Sequence, residues 1–140
     1  SGSRIRRGIA PRTLKRFKSK IRQLTRRNWN ISMEKRIAVL RKYLNGWQAY
    51  YGFCETHSTL QRLDSWIRRR LRSAYWKQWK TYSKRKAELI KRNVSQETAH
   101  VTAWLARGAW RMSHMPGTRI ALDNHHFDKL GLPRLHRTFN

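Results

Sequence analysis

Hydrophobic residues recur along the first half of the chain with the three-and-four spacing of amphipathic α-helices. The first stripe follows Pro11, a residue that suits the first position of a helix, and it consists of Leu14, Phe17, Ile21 and Leu24. Basic residues occupy much of the rest of this segment, and the pattern fades at about Asn28. The sequence therefore predicts a first helix with one buried face and one cationic face.

A second stripe begins after Ser32, a good N-cap, and predicts a helix from about Met33 to about Phe53. Its apolar positions alternate three and four residues apart: Ile37, Leu40, Leu44, Trp47 and Tyr51. This spacing is typical of the seam between packed helices. We therefore expect the second helix to lie against the first as an antiparallel neighbour.

The third predicted helix starts at Ser58, whose spacing to Gln61 fits a capping box, and it runs to about Lys80. Its apolar stripe is Leu60, Leu63, Ile67, Leu71 and Ala74. At about 100° per residue, the opposite side and its flank carry Arg68, Arg69, Arg72, Trp76, Trp79 and Lys80. Arg70 projects near the stripe, so we expect it to pair with Asp64 or another carboxylate at the edge of the core.

The rest of the chain predicts shorter helices. A weakly held helix is expected over 82–92, another from the N-cap Ser95 to near Gly108, and a last one over about 119–130. Gly131, followed by an apolar residue and a proline, ends this last helix.

No alternating strand pattern accompanies these stripes, so the predicted fold is all-α. We expect a small bundle of three main helices over residues 4–80, with residues 81–140 forming shorter helices packed on or beside it. Residues 1–3 are typical of a cloning remnant, and we expect the remainder to come from a longer chain.

The net charge of the chain indicates what kind of partner it binds. The 140 residues include 33 Lys and Arg against 7 Asp and Glu, a formal net charge of +26. Such an excess repels itself in a compact state and favours a polyanion, with nucleic acid ahead of an anionic membrane. The chain is not a disordered basic tail, because 39% of its residues are hydrophobic and seven are tryptophans.

The sequence gives little support for a disulfide, a metal site or a catalytic nucleophile. The single cysteine, Cys54, excludes an intramolecular disulfide and a cysteine-rich zinc site. Cys54 and His57 lack two further ligands, and the neighbours His125 and His126 point to different sides of a helix. Ser58 has no matching base and acid. We predict no catalytic residue, no metal and no cofactor.

Several motifs together resemble the group II intron maturase-specific domain, also called domain X or the thumb of group II intron-encoded reverse transcriptases. They are YLNGWQAYY at 43–51, LDSWIRRRLR at 63–72, WKQWK at 76–80, IAPRTLKRFK at 9–18 and AWLARGAWRMS at 103–113. The resemblance covers nearly the whole chain. It implies a surface that binds structured intron RNA to assist splicing, and a thumb that holds the RNA–DNA template–primer duplex.

The resemblance also implies what surrounds this segment. The thumb packs beside the fingers and palm of the same parent chain, and the palm carries the catalytic aspartates. Here the only aspartates are Asp64, Asp123 and Asp128, with no paired motif, so we expect no polymerase activity from this segment. Some members continue into a zinc-dependent endonuclease, whose cysteine pairs are absent here. The expected location is the bacterial cytoplasm or an organelle, without a membrane partner.

The predicted RNA-binding residues lie on two helices. They are Arg68, Arg69, Arg72, Trp76, Lys77, Trp79 and Lys80 on the third, and Arg12, Lys15, Arg16, Lys20 and Arg22 on the first. A solvated basic face is the alternative for the arginines, and packing against Tyr82 or the C-terminal helices is the alternative for the two tryptophans. We expect core positions for Tyr43, Trp47, Tyr51 and Trp66.

Three functional classes follow from these predictions. The first is the RNA-binding thumb and maturase domain, and the second is a general nucleic-acid-binding helical module with no tie to an intron. The third is a nuclease or other enzyme, which would need a cluster of carboxylates or histidines that the seven acidic residues do not supply.

Overall fold

In the computed structural model, the described residues are 8–51, 57–105 and 107–136, and within these ranges the chain is all-α with no strand. The all-α prediction is confirmed. In chain order the helices are α1 (Pro11–Leu24), α2 (Met33–Tyr51), α3 (His57–Gln78), α4 (Tyr82–Lys91), α5 (Gln96–Trp104), α6 (Ala109–Met112), α7 (Pro116–Ala121) and α8 (Asn124–Lys129). Residues 1–3, Phe53, Cys54 and Ala106, on which some predictions depend, lie outside the described ranges.

Helix α1 forms as its pattern predicts, with Pro11 in its first turn and Phe17, Ile21 and Leu24 buried. Its C-terminal end is closed by Arg36 of α2, whose side chain is fully buried. The guanidinium donates hydrogen bonds of 2.9–3.1 Å to the backbone carbonyls of Leu24, Arg26 and Trp29. A cation is favourable there, because the carbonyls at a helix C-terminus lack partners and carry partial negative charge.

The seam of α2 is also confirmed. Ile37, Leu40, Leu44 and Trp47 are buried. The Trp47 ring lies 4.3 Å from that of Phe17, centroid to centroid, which joins α2 to α1. Tyr43 and Tyr51 are partly buried against the same core, as is Trp66 of α3. None of these four aromatic residues is free to stack fully on a base, in agreement with the sequence analysis.

Helix α3 runs through the centre and is covered on two sides. The predicted stripe is buried, but so are Arg68, Ser73, Tyr75 and Trp76. A helix with one apolar stripe needs one partner, whereas α3 has a second partner in the C-terminal segment. The helix begins by His57, so Ser58 lies inside it, and the predicted N-cap at Ser58 is wrong.

Helices α4 and α5 pack as a pair. The prediction that the first of them is weakly held is wrong, because Leu89 is fully buried against the core. Asn93, with a φ of 71°, ends α4 in a Schellman motif, since the N–H groups of Asn93 and Val94 donate to the carbonyls of Ile90 and Leu89. The Ser95 side chain then accepts from the Thr98 N–H at 3.2 Å, which confirms Ser95 as the N-cap of α5.

The C-terminal segment is more broken than predicted. Helix α5 ends at Trp104 rather than near Gly108, and the predicted helix over 119–130 is two helices, α7 and α8. Between these two helices, the Asp123 side chain accepts from the His126 N–H at 2.9 Å and so starts α8 as an N-cap. The stop at Gly131 is confirmed, with a φ of 88° and a second Schellman motif.

One buried carboxylate fastens the end of the described chain to α3. The Asp64 oxygens accept from the backbone N–H groups of Leu135 and His136, both at 2.8 Å, and lie 3.6 Å from the Arg68 guanidinium. Burial raises the pKa of Asp64 above its ordinary value, while these donors act to lower it. We call this arrangement the Asp64 clamp. Among the described residues, no helix has the length and hydropathy that crossing a membrane requires.

Candidate nucleic-acid interface

A groove of about 950 Å³ lies between α3 and the segment that contains α6, α7 and the start of α8. Its α3 wall presents Ser65, Trp66, Arg68, Arg69 and Arg72, and its other wall presents Trp110, His114, Pro116, Arg119, Ile120, Asp123 and Asn124. We call it the α3 groove. Four arginines and two tryptophans therefore share one concave surface, which combines charge with flat apolar rings.

Arg69 is held by contacts across the groove. Its Nε donates to the Ser113 hydroxyl at 3.1 Å and its Nη2 donates to the Trp110 carbonyl at 3.0 Å. The guanidinium carbon lies 3.9 Å from the centroid of the Trp110 ring, a close cation–π contact. These three contacts fix a charged group and an indole side by side at the rim, before any ligand is present.

Arg72 lies deeper in the groove and carries an uncompensated charge. Its Nε donates to the Ser113 carbonyl at 2.9 Å. Burial, together with the neighbouring charges of Arg119, Arg69 and Arg68, lowers the pKa of Arg72 to about 10. Within the described residues, no ion pair involves Arg69, Arg72 or Arg119. An anion entering the groove would relieve this repulsion.

Arg68 differs from its neighbours, and the prediction that its side chain faces outward is wrong. Only 3% of the residue is exposed, because the guanidinium pairs with Asp64 and donates to the Pro133 carbonyl at 3.5 Å. Its charge is thus already matched at the base of the groove wall. Arg70 has the structural role that was expected, but its Nε donates to the Thr25 hydroxyl at 2.6 Å instead of to a carboxylate.

The outward-facing prediction is also wrong for Trp76 and Trp79. They are 1% and 4% exposed, so the alternative of packing within the C-terminal half is the correct one. Arg85 lies over the Trp76 ring at 4.6 Å and Arg92 lies over the Trp79 ring at 5.2 Å. The cations beside these rings therefore come from α4 and its C-cap, and stacking on RNA bases is closed to both tryptophans.

The remaining predicted residues are exposed but do not all meet. Those on α1 are Arg12, Lys15, Arg16, Lys20 and Arg22; Lys77 lies in the last turn of α3, and Lys80 follows the end of that helix at Gln78. Arg22 does not line the groove, but its guanidinium carbon lies 5.3 Å from the centroid of Trp66, which does. Lys15 lies seven residues earlier on the same face of α1. One flank of α1 thus adjoins the α3 groove through Trp66, while Lys77 and Lys80 do not line the groove. RNA contact by these residues stays a prediction.

The sequence analysis missed the second wall of the groove. Trp110 and Arg119 come from helices too short to show a periodic stripe, and His114 lies in the turn between these helices. The available signal was Trp110 itself, a large aromatic that no apolar stripe accounts for. A tryptophan without a core position, close to several basic residues, indicates a surface with a partner.

The aspartates of the chain have structural contacts. Asp64 forms the clamp, Asp123 caps α8, and Asp128 pairs with Arg134 through two hydrogen bonds. In the part of the chain that the structure describes, no three histidine, cysteine, aspartate or glutamate residues come together in a way that could hold a metal ion. The groups that the α3 groove offers to a ligand are therefore arginine side chains and aromatic rings.

Comparison with known families identifies the family to which the chain belongs. Residues 14–93 match the family model of the group II intron, maturase-specific domain. The chain belongs to this family. No curated protein matched it. The match to the maturase-specific domain contains the motifs at 43–51, 63–72 and 76–80 and confirms the resemblance on which they were singled out.

The boundaries of the match divide the α3 groove. The α3 wall lies within the residues that match the maturase-specific domain, whereas Trp110, Arg119 and the rest of the opposite wall lie beyond residue 93. The likeness of 103–113 to the family rests on its residues alone and stays a prediction. In this chain, a helix inside the matched region is completed into a groove by a segment outside that region.

Proposed function

We propose that this maturase-specific domain binds the structured RNA of a group II intron through the α3 groove and the adjoining flank of α1, and so assists splicing. The observation that carries the proposal is the cluster of Arg69, Arg72 and Arg119 in the groove that Trp66 and Trp110 also line, none of which forms an ion pair among the described residues. Phosphate neutralisation supplies much of the affinity of proteins for nucleic acids. The exposed part of the Trp110 ring adds a surface for stacking with an unpaired base.

The second proposed role is that of a thumb in a longer parent chain. There it would pack beside fingers and palm and hold the RNA–DNA template–primer duplex during reverse transcription. We propose that this segment itself is not an enzyme and needs no cofactor. Its three aspartates already have structural contacts: Asp64 in the clamp, Asp123 as the N-cap of α8 and Asp128 in an ion pair with Arg134. Its place of action would be where the intron is spliced, in a bacterial cytoplasm or an organelle.

A salt titration with matched variants tests the electrostatic part. If about six phosphates are contacted, log K for RNA should fall against log salt with a slope of roughly −5. The double variant Arg72→Gln/Arg119→Ala should weaken binding and reduce the steepness of that slope by roughly 2, one for each lost phosphate contact. The control is Arg62→Ala, which removes an exposed arginine of the same helix outside the groove. Equal losses from Arg62→Ala and from the double variant would refute a role for the groove.

A competition experiment separates the intron-specific proposal from its alternative, a general nucleic-acid-binding module. A group II intron transcript should displace labelled intron RNA from the full chain at a much lower concentration than bulk tRNA does. A module that reads only phosphate density would give the same displacement curve for both competitors at equal nucleotide concentration. That outcome would favour the alternative and leave the groove as its binding surface.

A further inference from the structure

A second aromatic surface lies apart from the α3 groove, on the paired helices α4 and α5. It consists of the rings of Tyr82, His100 and Trp104, none of which lines the groove, and we call it the Trp104 platform. Of the seven tryptophans, all of which lie in the described ranges, Trp104 is the most exposed, with 72% of its surface in solvent. Tryptophan is usually mostly buried, so an exposed indole at this position indicates a surface that binds a partner.

The rings of the Trp104 platform are held in place by the packing and the hydrogen bonds of their helices. Both helices are anchored in the core, α4 by the buried Leu89 and α5 by the buried Ala99 and Ala103. The Tyr82 hydroxyl forms a hydrogen bond with Nδ1 of His100. A short connection with a cap at Ser95 joins α4 to α5. The rings are therefore presented on two fixed helices and not on a loop, which lowers the entropy cost of binding a flat ligand.

The ring geometry suits stacking. The rings of His100 and Trp104 are nearly parallel, with an interplanar angle of 28° and a centroid separation of 6.4 Å. Tyr82 stands perpendicular to both, at 89° to His100 and 86° to Trp104, in two T-shaped contacts. One perpendicular ring thus holds two rings in similar orientation, and most of the indole stays accessible.

The charges around the platform favour a polyanion as its occupant. The Lys86 amine lies 6.0 Å from the centroid of Tyr82, and Arg107 is exposed three residues after Trp104. Of the nearby carboxylates, Glu88 is paired with Lys84 and Arg92. Glu97 is exposed on the same face of α5 as Trp104, about 10 Å away along the axis. Lys86 therefore lies beside the rings and Arg107 follows Trp104 closely in the chain, while Glu97 lies about two turns from Trp104 and one turn from His100.

We propose that the Trp104 platform is a separate base-stacking site for an unpaired nucleotide of bound RNA, with Lys86 or Arg107 near its phosphate. This inference rests on the proposed RNA-binding function but concerns a different surface and a different feature of the RNA. Stacking of a base on an aromatic side chain tolerates any base sequence and requires that the base be unpaired. The α3 groove would supply affinity for structured RNA, and the platform would add preference for a loop or bulge.

The test compares two RNA probes on the full chain. One is a hairpin with a loop of unpaired adenosines, and the other is a fully paired duplex of equal length. Trp104→Ala should weaken binding of the hairpin about 5- to 150-fold, the range seen for one lost base stack, and leave the duplex within about twofold. Trp104→Phe should retain most of the affinity, because it keeps an aromatic face.

Val101→Ala is the matched control. Val101 is 54% exposed and lies beside Trp104 on α5, but it has no ring. Apolar docking of a protein would depend on both side chains, whereas base stacking depends on Trp104 alone. A loss from Val101→Ala as large as that from Trp104→Ala would overturn the proposal, as would equal losses on hairpin and duplex or no loss on the hairpin. If Trp104→Ala has a lowered melting temperature, Trp104→Leu, apolar but not aromatic, takes its place at matched stability.

A groove variant distinguishes failure of this inference from failure of the proposed function. Arg119→Ala should weaken binding of the hairpin and the duplex alike, because phosphates are present in both. If Arg119→Ala has this effect while Trp104→Ala has none, RNA binding stands and the platform falls. If neither variant alters either affinity, the proposed function falls with it.

Discussion

Removal of the Asp64 carboxylate should destabilise the domain far more than the loss of one surface charge. The variant Asp64→Ala deprives the N–H groups of Leu135 and His136 of their acceptor and leaves Arg68 buried without a counterion. Hydrogen bonds to a charged group contribute about 1.5–3 kcal/mol each. Breaking a buried ion pair from one side costs about 3–5 kcal/mol.

These two contributions overlap, because both arise from the same carboxylate, so they do not add in full. We expect Asp64→Ala to lower the free energy of unfolding by about 3–5 kcal/mol, against a total of roughly 5–15 kcal/mol for a domain of ordinary stability. Urea unfolding at fixed pH and low temperature, followed by far-ultraviolet circular dichroism, measures the difference. Asp64→Asn, which keeps one acceptor oxygen, should fall between the wild type and Asp64→Ala.

The chain offers a matched control in a second aspartate–arginine pair. Asp128 and Arg134 form two hydrogen bonds, but both side chains are more than 40% exposed. An exposed pair of this kind is worth about 0–1 kcal/mol, so Asp128→Ala should change the unfolding free energy little. If Asp64→Ala costs no more than Asp128→Ala, the Asp64 clamp is not a source of stability and our account of α3 is wrong.

Three further predictions follow from other contacts. Trp79→Ala should cost about 3–5 kcal/mol of stability and leave RNA affinity nearly unchanged, as judged by melting and filter binding, because its ring is 4% exposed. Burial lowers the pKa of His126 below its ordinary value of 6.5, so the unfolding free energy should fall as the pH drops below about 6.5, where the unfolded chain gains the proton first. A pH series of urea midpoints should show this slope flattened in His126→Gln. Gly117→Ala should destabilise by about 1–3 kcal/mol, since a Cβ there would overlap the Thr102 side chain, whereas Gly108→Ala, with open space around it, should melt like the wild type.

The sequence is sufficient for those parts of the fold in which one periodic stripe meets one partner. Helices α1 and α2 satisfy this condition, and their buried residues are the ones that the spacing predicts. The caps at Ser95 and Gly131 are also readable, because each depends on a local backbone geometry that few residue types supply.

The packing of the C-terminal segment on α3 cannot be predicted from the sequence in the same way. Helices α6, α7 and α8 have four to six residues each, fewer than two turns, so none shows a stripe. Without that partner, a helical wheel places Arg68, Trp76 and Trp79 on an open side. The spacing of Asp64 and Arg68, four residues apart, was a signal for their ion pair, but the backbone donors that complete the clamp come from over seventy residues away.

The long sequence separation between Asp64 and its backbone donors has a consequence for the synthesis of the protein. During translation α3 emerges first, and its far side stays uncovered until the segment up to His136 has been made, which takes roughly 3–12 seconds at about 5–20 residues per second. During that interval the nascent chain exposes Tyr75, a ring that the finished domain buries almost completely beside His126 and Phe127 of α8. Apolar rings left in water promote aggregation. The charge that repels the folded domain from itself would then protect it while it is being made, because basic nascent chains also repel one another.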